Sequence, residues 1–424
     1  MIETRPQKTQ ERALLIGLER EGVSKWDLQD SLAELRELAN SAGAEVVDTV
    51  TQKLQRPTAP YYIGRGKAES IKDSCQDRHV TSVIFDDELS PAQGRNLENL
   101  FARKVLDRTQ LILDIFAQRA RSREGRLQIE LAQLQYLLPR LTRMWHHLSR
   151  QTGGIGTRGP GETQLEVDRR RVQERIARLE RELEAVRKTR AIQRQGRKRH
   201  QWPVAAVVGY TNAGKSTLLN LLTGADVVTQ NKLFATLDPT TRSFVLPNKQ
   251  RVLLTDTVGF LRKLPHTLIE SFKATLEEVS EADLLIHIVD LSHPRVDEQM
   301  EAVDGVIKEL DAFGKQTLIV FNKIDNLPNR ELAESYVKRF PDSVAISART
   351  GEGVNKLVHA LENALSSWRL RSRFHIPANE SALIAEIHRV GHVLELRYEG
   401  NDALIVAHVP PDLAQKLEHY ATRE

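Results

Sequence analysis

The chain has 424 residues, a net charge of +4 and 40% hydrophobic residues, a length that suits about three domains with separate cores. One cysteine, Cys75, excludes an internal disulfide and indicates a reducing compartment. The N-terminal residues are polar, which argues against a signal peptide, and no apolar run approaches the roughly 18 residues that a membrane span needs. We therefore expect a cytoplasmic protein without a membrane-spanning segment.

Residues 1–108 alternate between strand-like and helix-like patterns. The predicted strands are 13–18, 45–51, 80–85 and 104–106, and the predicted helices are 28–39 and 66–77. A further helix begins at Ser90 and Pro91, with the serine as N-cap and the proline in the first turn. The alternation predicts an N-terminal α/β domain with a parallel sheet, and α/β as the fold class of the chain.

Residues 109–200 predict a long antiparallel helical hairpin. The first helix covers 109–148, with leucines spaced by three and four residues and an interruption at Pro139. The second helix carries a coiled-coil seam formed by Leu165, Val172, Ile176, Leu179, Leu183 and Val186. Between the helices, residues 153–161 hold five glycines in nine positions. Because a helix is not stable with so many glycines, we predict an exposed tip loop. A plain flexible linker is the alternative.

The second helix is strongly basic. From Arg169 to His200 there are thirteen Lys and Arg against four Glu, a net charge of +9, which leaves about −5 for the rest of the chain. A basic block on an otherwise acidic protein favours a polyanionic partner, whereas the alternative is a solvated helix face.

The next segment matches the phosphate-binding pattern G-x-x-x-x-G-K-[ST] between an apolar run at 204–208 and a helix-like run at 217–222. The loop consists of Gly209, Tyr210, Thr211, Asn212, Ala213, Gly214, Lys215 and Ser216. Gly209 and Gly214 allow the backbone to approach the phosphates closely. Lys215 is expected to contact the β- and γ-phosphates, and the Ser216 hydroxyl to bind Mg²⁺. The pattern predicts a bound nucleoside triphosphate with magnesium, in a domain spanning 201–366.

A threonine that binds Mg²⁺ when the γ-phosphate is present is expected shortly after this loop. The candidate segment contains Phe234, Ala235, Thr236, Leu237, Asp238, Pro239, Thr240 and Thr241. We favour Thr236, and Thr240 and Thr241 remain alternatives.

A strand at 252–255 precedes a D-x-x-G element, which consists of Asp256, Thr257, Val258 and Gly259. Asp256 is expected to hold Mg²⁺ through water, and the Gly259 N–H to sense the γ-phosphate. Many GTPases place a glutamine next, to orient the attacking water. Here that residue is Phe260, which has no polar group, so no catalytic residue is assigned and hydrolysis by the isolated protein should be slow. Asn212 is a candidate for holding a potassium ion against the phosphates; a turn-stabilising asparagine is the alternative.

Two further elements predict guanine as the base. An apolar run at 317–321 ends in Asn322, Lys323, Ile324 and Asp325, and a run at 344–346 ends in Ser347, Ala348 and Arg349. Asp325 can accept hydrogen bonds from guanine N1–H and its 2-amino group, which adenine lacks, and such sites discriminate by about 10⁴-fold. The Ala348 N–H is expected to meet guanine O6, and the Lys323 stem to lie along the ring face. An ATP-driven enzyme acting on RNA is therefore disfavoured for this site.

Residues 367–424 read as strand, helix, strand, a turn at 400–402, strand and helix. They predict a small α+β module that follows the GTPase domain.

At these motifs the chain resembles the HflX family of translational GTPases. The residues that carry the resemblance are 209–216, 234–240, 256–260, 62–67, 89–93, 107–109, 114–120 and the glycine-rich loop within 153–166. It covers about residues 10 to 365, and the C-terminal module is the least characteristic part. It implies binding to the large (50S) ribosomal subunit and the 70S ribosome, including rRNA, with GTP. We expect the protein to be a monomer. It further implies splitting of stalled ribosomes under stress such as heat shock, ribosome-stimulated hydrolysis, and a glycine-rich loop that reaches the peptidyl-transferase region. The family's N-terminal domain is also linked to adenine nucleotides, although no motif here assigns residues to that role.

A second hypothesis is a GTP-switched scaffold that binds a protein partner through its coiled-coil helices. It requires the seam of the second helix to be unpaired within the chain, and hence open to another helix.

Overall fold

The computed structural model describes residues 11–21, 25–141, 164–199, 202–224, 233–234, 237–263, 278–366, 370–377 and 379–422. Two compact units divide between Ala185 and Val186. Across these described ranges, no helix combines the length and hydrophobicity that crossing a membrane requires.

The first unit begins with a parallel four-stranded sheet in the order β2-β1-β3-β4. Its strands are β1 (Arg12–Glu19), β2 (Glu45–Lys53), β3 (Ser82–Phe85) and β4 (Lys104–Asp107). The connecting helices are α1 (Lys25–Ala42), α2 (Arg65–Asp77) and α3 (Pro91–Phe101). Ser90 caps α3 in a reciprocal capping box with Gln93, which fixes the start of this helix. The predicted N-terminal α/β architecture is confirmed.

The helices that follow depart from the sequence prediction. They are α4 (Arg108–Arg119), α5 (Arg123–Leu137) and α6 (Gln164–Arg199). A single helix over 109–148 is wrong, because Ala120 has an extended backbone and Ser122 restarts the helix by accepting a hydrogen bond from the Gly125 N–H at 2.9 Å. This serine is a favourable N-cap that was not recognised in the sequence. The predicted tip loop, 153–161, lies outside the described residues.

The apolar seam of α6 faces the interior of the first unit where its side chains are described. Leu179 and Leu183 are buried, and Val172 and Ile176 are half-buried. Beside them, Arg175 on α6 forms a two-pronged ion pair with Glu130 on α5, with N–O distances of 2.7 and 2.9 Å. The seam is therefore already packed within this chain at Leu179 and Leu183.

The second unit contains a six-stranded sheet in the order β10-β9-β8-β5-β7-β6, which is parallel except where the edge strand β6 pairs with β7. Its strands are β5 (Val204–Gly209), β6 (Thr240–Val245), β7 (Arg251–Asp256), β8 (Leu284–Asp290), β9 (Thr317–Asn322) and β10 (Ser343–Ala345). The helices described around it are α7 (Lys215–Thr223), α8 (Val296–Glu309), α9 (Glu331–Arg339) and α10 (Val354–Ala364). The carboxyl ends of parallel strands share one edge of the sheet, and ligands of such folds bind there.

The C-terminal segment forms an antiparallel sheet in the order β12-β13-β11-β14. Its elements are β11 (Leu370–Pro377), α11 (Ser381–Val390), β12 (His392–Glu399), β13 (Asp402–Val409), α12 (Pro411–Lys416) and β14 (Ala421–Thr422). Alternate residues of β13 are buried, so one face of the sheet packs on the core. The predicted order of strand, helix, strand, turn, strand and helix is present.

Candidate nucleotide site

The phosphate loop joins the end of β5 to the start of α7. Neither of its two glycines can be replaced by a larger residue without a steric clash. Gly209 has φ +149°, and an added Cβ would lie 2.2 Å from the Ile288 carbonyl oxygen. Gly214 has φ +99°, and its Cβ would lie 2.2 Å from the Asn322 side-chain nitrogen. Both positions combine a left-handed backbone with a contact that a side chain would obstruct. The loop thus directs backbone N–H groups and the N-terminus of α7 to one point, which suits a phosphate.

Lys215 is buried at the start of α7, and its ammonium group donates to the carbonyl oxygens of Gly209 and Tyr210 at 3.1 and 2.8 Å. Burial lowers the pKa of Lys215 to about 8, although the charge of Asp256 opposes this shift. A bound phosphate would favour the charged form, so the site is electrostatically suited to an anion.

The two predicted magnesium-site residues Ser216 and Asp256 come together. The Ser216 hydroxyl donates to a carboxylate oxygen of Asp256, at the end of β7, over 2.8 Å. Both groups offer hard oxygen atoms beside the phosphate loop, which is the ligand type that Mg²⁺ selects. The neighbouring Thr257 donates its hydroxyl proton to the Val207 carbonyl at 2.7 Å and so ties this segment to β5.

The D-x-x-G element lies directly on the phosphate loop. A Cβ on Gly259 would come within 2.8 Å of Thr211 Cα and 2.9 Å of the Lys215 ammonium nitrogen. Phe260 is buried, its N–H donates to the Gly209 carbonyl at 3.1 Å, and its carbonyl accepts from the Thr211 N–H at 2.8 Å. Gly259 is therefore held beside Lys215, while the Phe260 side chain is enclosed in the interior.

The threonine-bearing segment is described only in part. Phe234 is buried and its N–H donates to the Thr211 hydroxyl at 3.2 Å, and Leu237 is also buried. Ala235 and Thr236, the favoured magnesium ligand, lie outside the described residues. The alternatives sit at the start of β6, where the Thr240 hydroxyl donates to the Asp238 carbonyl at 3.5 Å and Thr241 shares a 3.0 Å hydrogen bond with Thr255.

The two predicted base-recognition elements meet at Asn322, which also joins them to the phosphate loop. Its side chain donates to the Ala213 carbonyl at 2.8 Å and accepts from the Ala348 N–H at 2.9 Å. The Ile324 N–H donates to the Ile346 carbonyl at 3.3 Å, which adds a backbone link between the elements. In this arrangement the Ala348 N–H, expected to meet guanine O6, is engaged by Asn322.

Asp325 has both carboxylate oxygens engaged. One accepts from the Ser347 hydroxyl at 2.7 Å, and the other lies 3.3 Å from the Arg349 guanidinium. Because the Arg349 side chain is 77% exposed, this ion pair is weak and open to exchange. A guanine edge can therefore replace Arg349 as the partner of Asp325.

Three side-chain contacts at the site were not predicted from the sequence. Asp290, at the end of β8, holds the Lys323 ammonium at 2.7 Å. The hydroxyl groups of Thr211 and Tyr210 bind the N–H groups of Phe234 and Arg262. Of these, only Asp290 left a signal in the sequence, because it follows an apolar strand at the same sheet edge as the predicted site.

A buried histidine lies on β8, beside β5. The pKa of His287 is lowered to about 4 by burial and, secondarily, by the charge of Lys215. Its imidazole is therefore neutral at physiological pH.

Family models match three consecutive parts of the chain. Residues 29–117 match "GTP-binding GTPase N-terminal", 119–197 match "GTP-binding GTPase Middle Region", and 204–323 match "50S ribosome-binding GTPase". Together they span residues 29–323 with short gaps.

Individual relatives align along nearly the whole length. A protein named GTPase HflX from Caldanaerobacter subterraneus subsp. tengcongensis is 46% identical over 413 residues, 97% of this chain and 94% of that protein. GTPase HflX of Escherichia coli strain K12 is 47% identical over 365 residues, 86% of this chain and 85% of that protein. A solved GTP-binding protein from Sulfolobus solfataricus in complex with GDP covers 84% of this chain and 99% of its own, with 26% identity and a TM-score of 0.46. The chain belongs to the HflX family of GTPases and is an enzyme that binds and hydrolyses GTP.

Proposed function

We propose that this GTPase binds the large ribosomal subunit and the 70S ribosome in its GTP form and splits stalled ribosomes, under stress such as heat shock. The observation that carries the proposal is the presence in one chain of a candidate GTP site, in the second unit, and a basic helix, α6, that follows the N-terminal domain. The match of residues 204–323 to a 50S ribosome-binding GTPase supports the choice of partner.

Different residues of the site are proposed to bind different parts of the nucleotide. The backbone of 209–216 and the Lys215 ammonium bind the phosphates, and Asp325 and Ala348 recognise guanine. Magnesium neutralises phosphate charge when it is bound, and Ser216 and, through water, Asp256 would hold it. Thr236 would complete this set in the GTP state. Thr240 and Thr241 are the alternatives for this role.

The isolated enzyme is proposed to be slow. Phe260 stands where a glutamine would orient water, and its ring is buried. The partner that completes the site is proposed to be the ribosome, so that GTP is consumed where splitting occurs.

Potassium is the proposed second cation, held by Asn212. This residue has a left-handed backbone, φ +61°, at the mouth of the phosphate loop, and its side chain is exposed. Hydrolysis should be faster in potassium than in sodium at equal ionic strength, and Asn212→Ala should remove the difference. Equal rates of the wild type in the two salts would contradict this role.

The exposed arginines of α6 fit an RNA surface. They include Arg169, Arg170, Arg171, Arg178 and Arg181. Within the described part of α6, Arg170 and Arg171 lie 3.9 and 3.8 Å from acidic side chains of the same helix, and both are more than half exposed. Such pairs contribute about 0–1 kcal/mol, so a phosphate backbone can displace the carboxylates. Binding to ribosomal RNA should weaken as salt rises.

The glycine-rich loop is the proposed effector of splitting. Deleting residues 153–161 should leave GTP affinity unchanged, because the nucleotide contacts lie in the second unit, and should abolish dissociation of 70S ribosomes into subunits. Sucrose-gradient sedimentation measures the subunits. A second variant that replaces the loop with nine Gly and Ser residues separates its length from its sequence. Unimpaired splitting by the deletion would refute the role of the loop.

The scaffold hypothesis gains no support from α6, because Leu179 and Leu183 of its seam are buried within the chain. We propose a cytoplasmic monomer, for which the buried, unoxidised thiol of Cys75 is suitable. Cosedimentation with ribosomal subunits decides between the two functions. Nucleotide-dependent, salt-sensitive pelleting supports the ribosomal role, and a salt-insensitive dimer that does not pellet supports the scaffold.

A further inference from the structure

We propose that Tyr210 is a positioning residue for GTP hydrolysis, whose phenol hydroxyl holds residues 259–262 against the phosphate loop. This inference rests on the GTPase activity alone and does not depend on the ribosomal role. It concerns a residue that the P-loop pattern leaves unspecified, since the second position of G-x-x-x-x-G-K-[ST] accepts any side chain.

Tyr210 binds the segment after the D-x-x-G element in two ways. Its backbone forms an isolated parallel bridge with Phe260, flanked by the hydrogen bonds of Gly209 and Thr211 with that residue. Its side chain, only 6% exposed, accepts a hydrogen bond from the Arg262 N–H at 2.9 Å. The same residue therefore fixes the segment at two points, two residues apart.

The ion pair of Arg262 is weaker than this hydrogen bond. The Arg262 guanidinium pairs with Glu298 on α8 at 2.9 Å, but the two side chains are 44% and 42% exposed. An exposed pair of this kind contributes little. The hydrogen bond to the phenol hydroxyl is partly buried and comes from a side chain that is 6% exposed, so its loss costs more than loss of the surface pair. Loss of the hydroxyl is therefore not compensated by the ion pair.

The position of this segment affects the reaction because Gly259 is packed against Lys215. A Cβ placed on Gly259 would lie only 2.9 Å from the Lys215 ammonium nitrogen. Because the two groups are this close, a small shift of the segment changes the distance between the Gly259 backbone and the Lys215 ammonium. With an apolar residue at Phe260, hydrolysis depends on such backbone placement. Small displacements of a positioned group reduce rates markedly.

The test is Tyr210→Phe, which keeps the buried ring and removes the hydroxyl. Tyr336→Phe on α9 is the matched control, because it removes a similar hydrogen bond, 3.1 Å to Asp297, on a helix that contributes no residue to the nucleotide site. Single-turnover hydrolysis of GTP without ribosomes should slow about fivefold in Tyr210→Phe, the loss expected for one hydrogen bond, and should be unchanged in the control. GDP affinity should stay within about twofold of wild type in both.

Amide hydrogen exchange adds a readout that rate alone does not supply. In the GDP complex, residues 259–262 should exchange faster in Tyr210→Phe than in wild type, and the phosphate loop should not. An unchanged hydrolysis rate would overturn the proposal. So would a fall in GDP affinity as large as the fall in rate, since Tyr210 would then act on nucleotide binding. Both outcomes are independent of whether the protein splits ribosomes.

Discussion

At the residue scale, the side chains proposed for base recognition also support one another. Asn322 links the phosphate loop to Ala348, and Ser347 orients Asp325. The exposed Arg349 neutralises Asp325 in this structure and is the group that guanine would replace. We propose that the carboxylate of Asp325 selects the base, so this residue gives the most informative mutation.

Asp325→Asn should abolish the preference for guanine. An amide offers one acceptor and one donor group where guanine presents two donors, so GDP affinity should fall by roughly 100-fold, the loss of one or two charge-assisted hydrogen bonds. Competition of GTP and ATP for a fluorescent guanine nucleotide measures the effect. Asp297→Asn on the surface of α8 is the matched control, and retained guanine selectivity in Asp325→Asn would show that another group reads the base.

The sequence predicted these positions because each one follows a buried strand at a fixed place in a short pattern. Tyr210 and Thr211 were also in a pattern, but their hydroxyl contacts were not predictable. Tyr210 binds the N–H of Arg262, 52 residues away, and Thr211 binds the N–H of Phe234, 23 residues away. A single contact over such a separation leaves no periodicity in the sequence.

At the element scale, the carboxyl end of β4 anchors the end of α5. The buried Asp107 carboxylate accepts from the Leu89 N–H, the Tyr136 hydroxyl and the Arg140 guanidinium, at 3.1, 2.7 and 3.2 Å. Burial and the charge of Asp107 raise the pKa of Tyr136, so its hydroxyl remains a donor. Sequence periodicity predicted the strand and the helix, but not this anchor, because it depends on tertiary packing.

Asp107→Ala should destabilise the first unit by about 3 kcal/mol, since it removes the acceptor of the Leu89 N–H, the Tyr136 hydroxyl and the Gln110 N–H, and one partner of the Arg140 guanidinium. Denaturant unfolding followed by amide exchange in α5 measures the loss. Asp73→Ala, at an exposed position of α2, is the control and should change stability by less than about 0.5 kcal/mol. Equal protection of α5 in wild type and Asp107→Ala would contradict the anchor.

The break between α4 and α5 shows what a long apolar pattern can hide at this scale. The leucine spacing begins only at Leu127, and residues 117–126 hold no large apolar side chain. Ser122 caps the start of α5 inside this gap, and local hydrogen bonding to a serine side chain competes with helix continuation. The gap in the apolar pattern and the serine within it were therefore the signals of the break.

At the scale of the whole molecule, two properties are combined in one chain. The second unit contains a GTP site that lacks a polar group at Phe260, and α6 presents exposed arginines.

The α/β class and the GTPase architecture were predictable because strand ends carry the motifs. The domain boundaries at 108, 200 and 366 stay a proposal, as does the role of the loop at 153–161. We propose that an RNA-rich partner completes a slow enzyme.

The most direct test is GTP turnover with and without purified large ribosomal subunits, with Asp325→Asn measured in parallel. We predict that large subunits accelerate turnover by the wild type well above the intrinsic rate, and that Asp325→Asn shows little turnover of GTP with or without them. Raising the salt concentration should reduce the stimulation, because phosphate contacts are screened. A wild-type turnover rate that large subunits do not change would contradict the central claim.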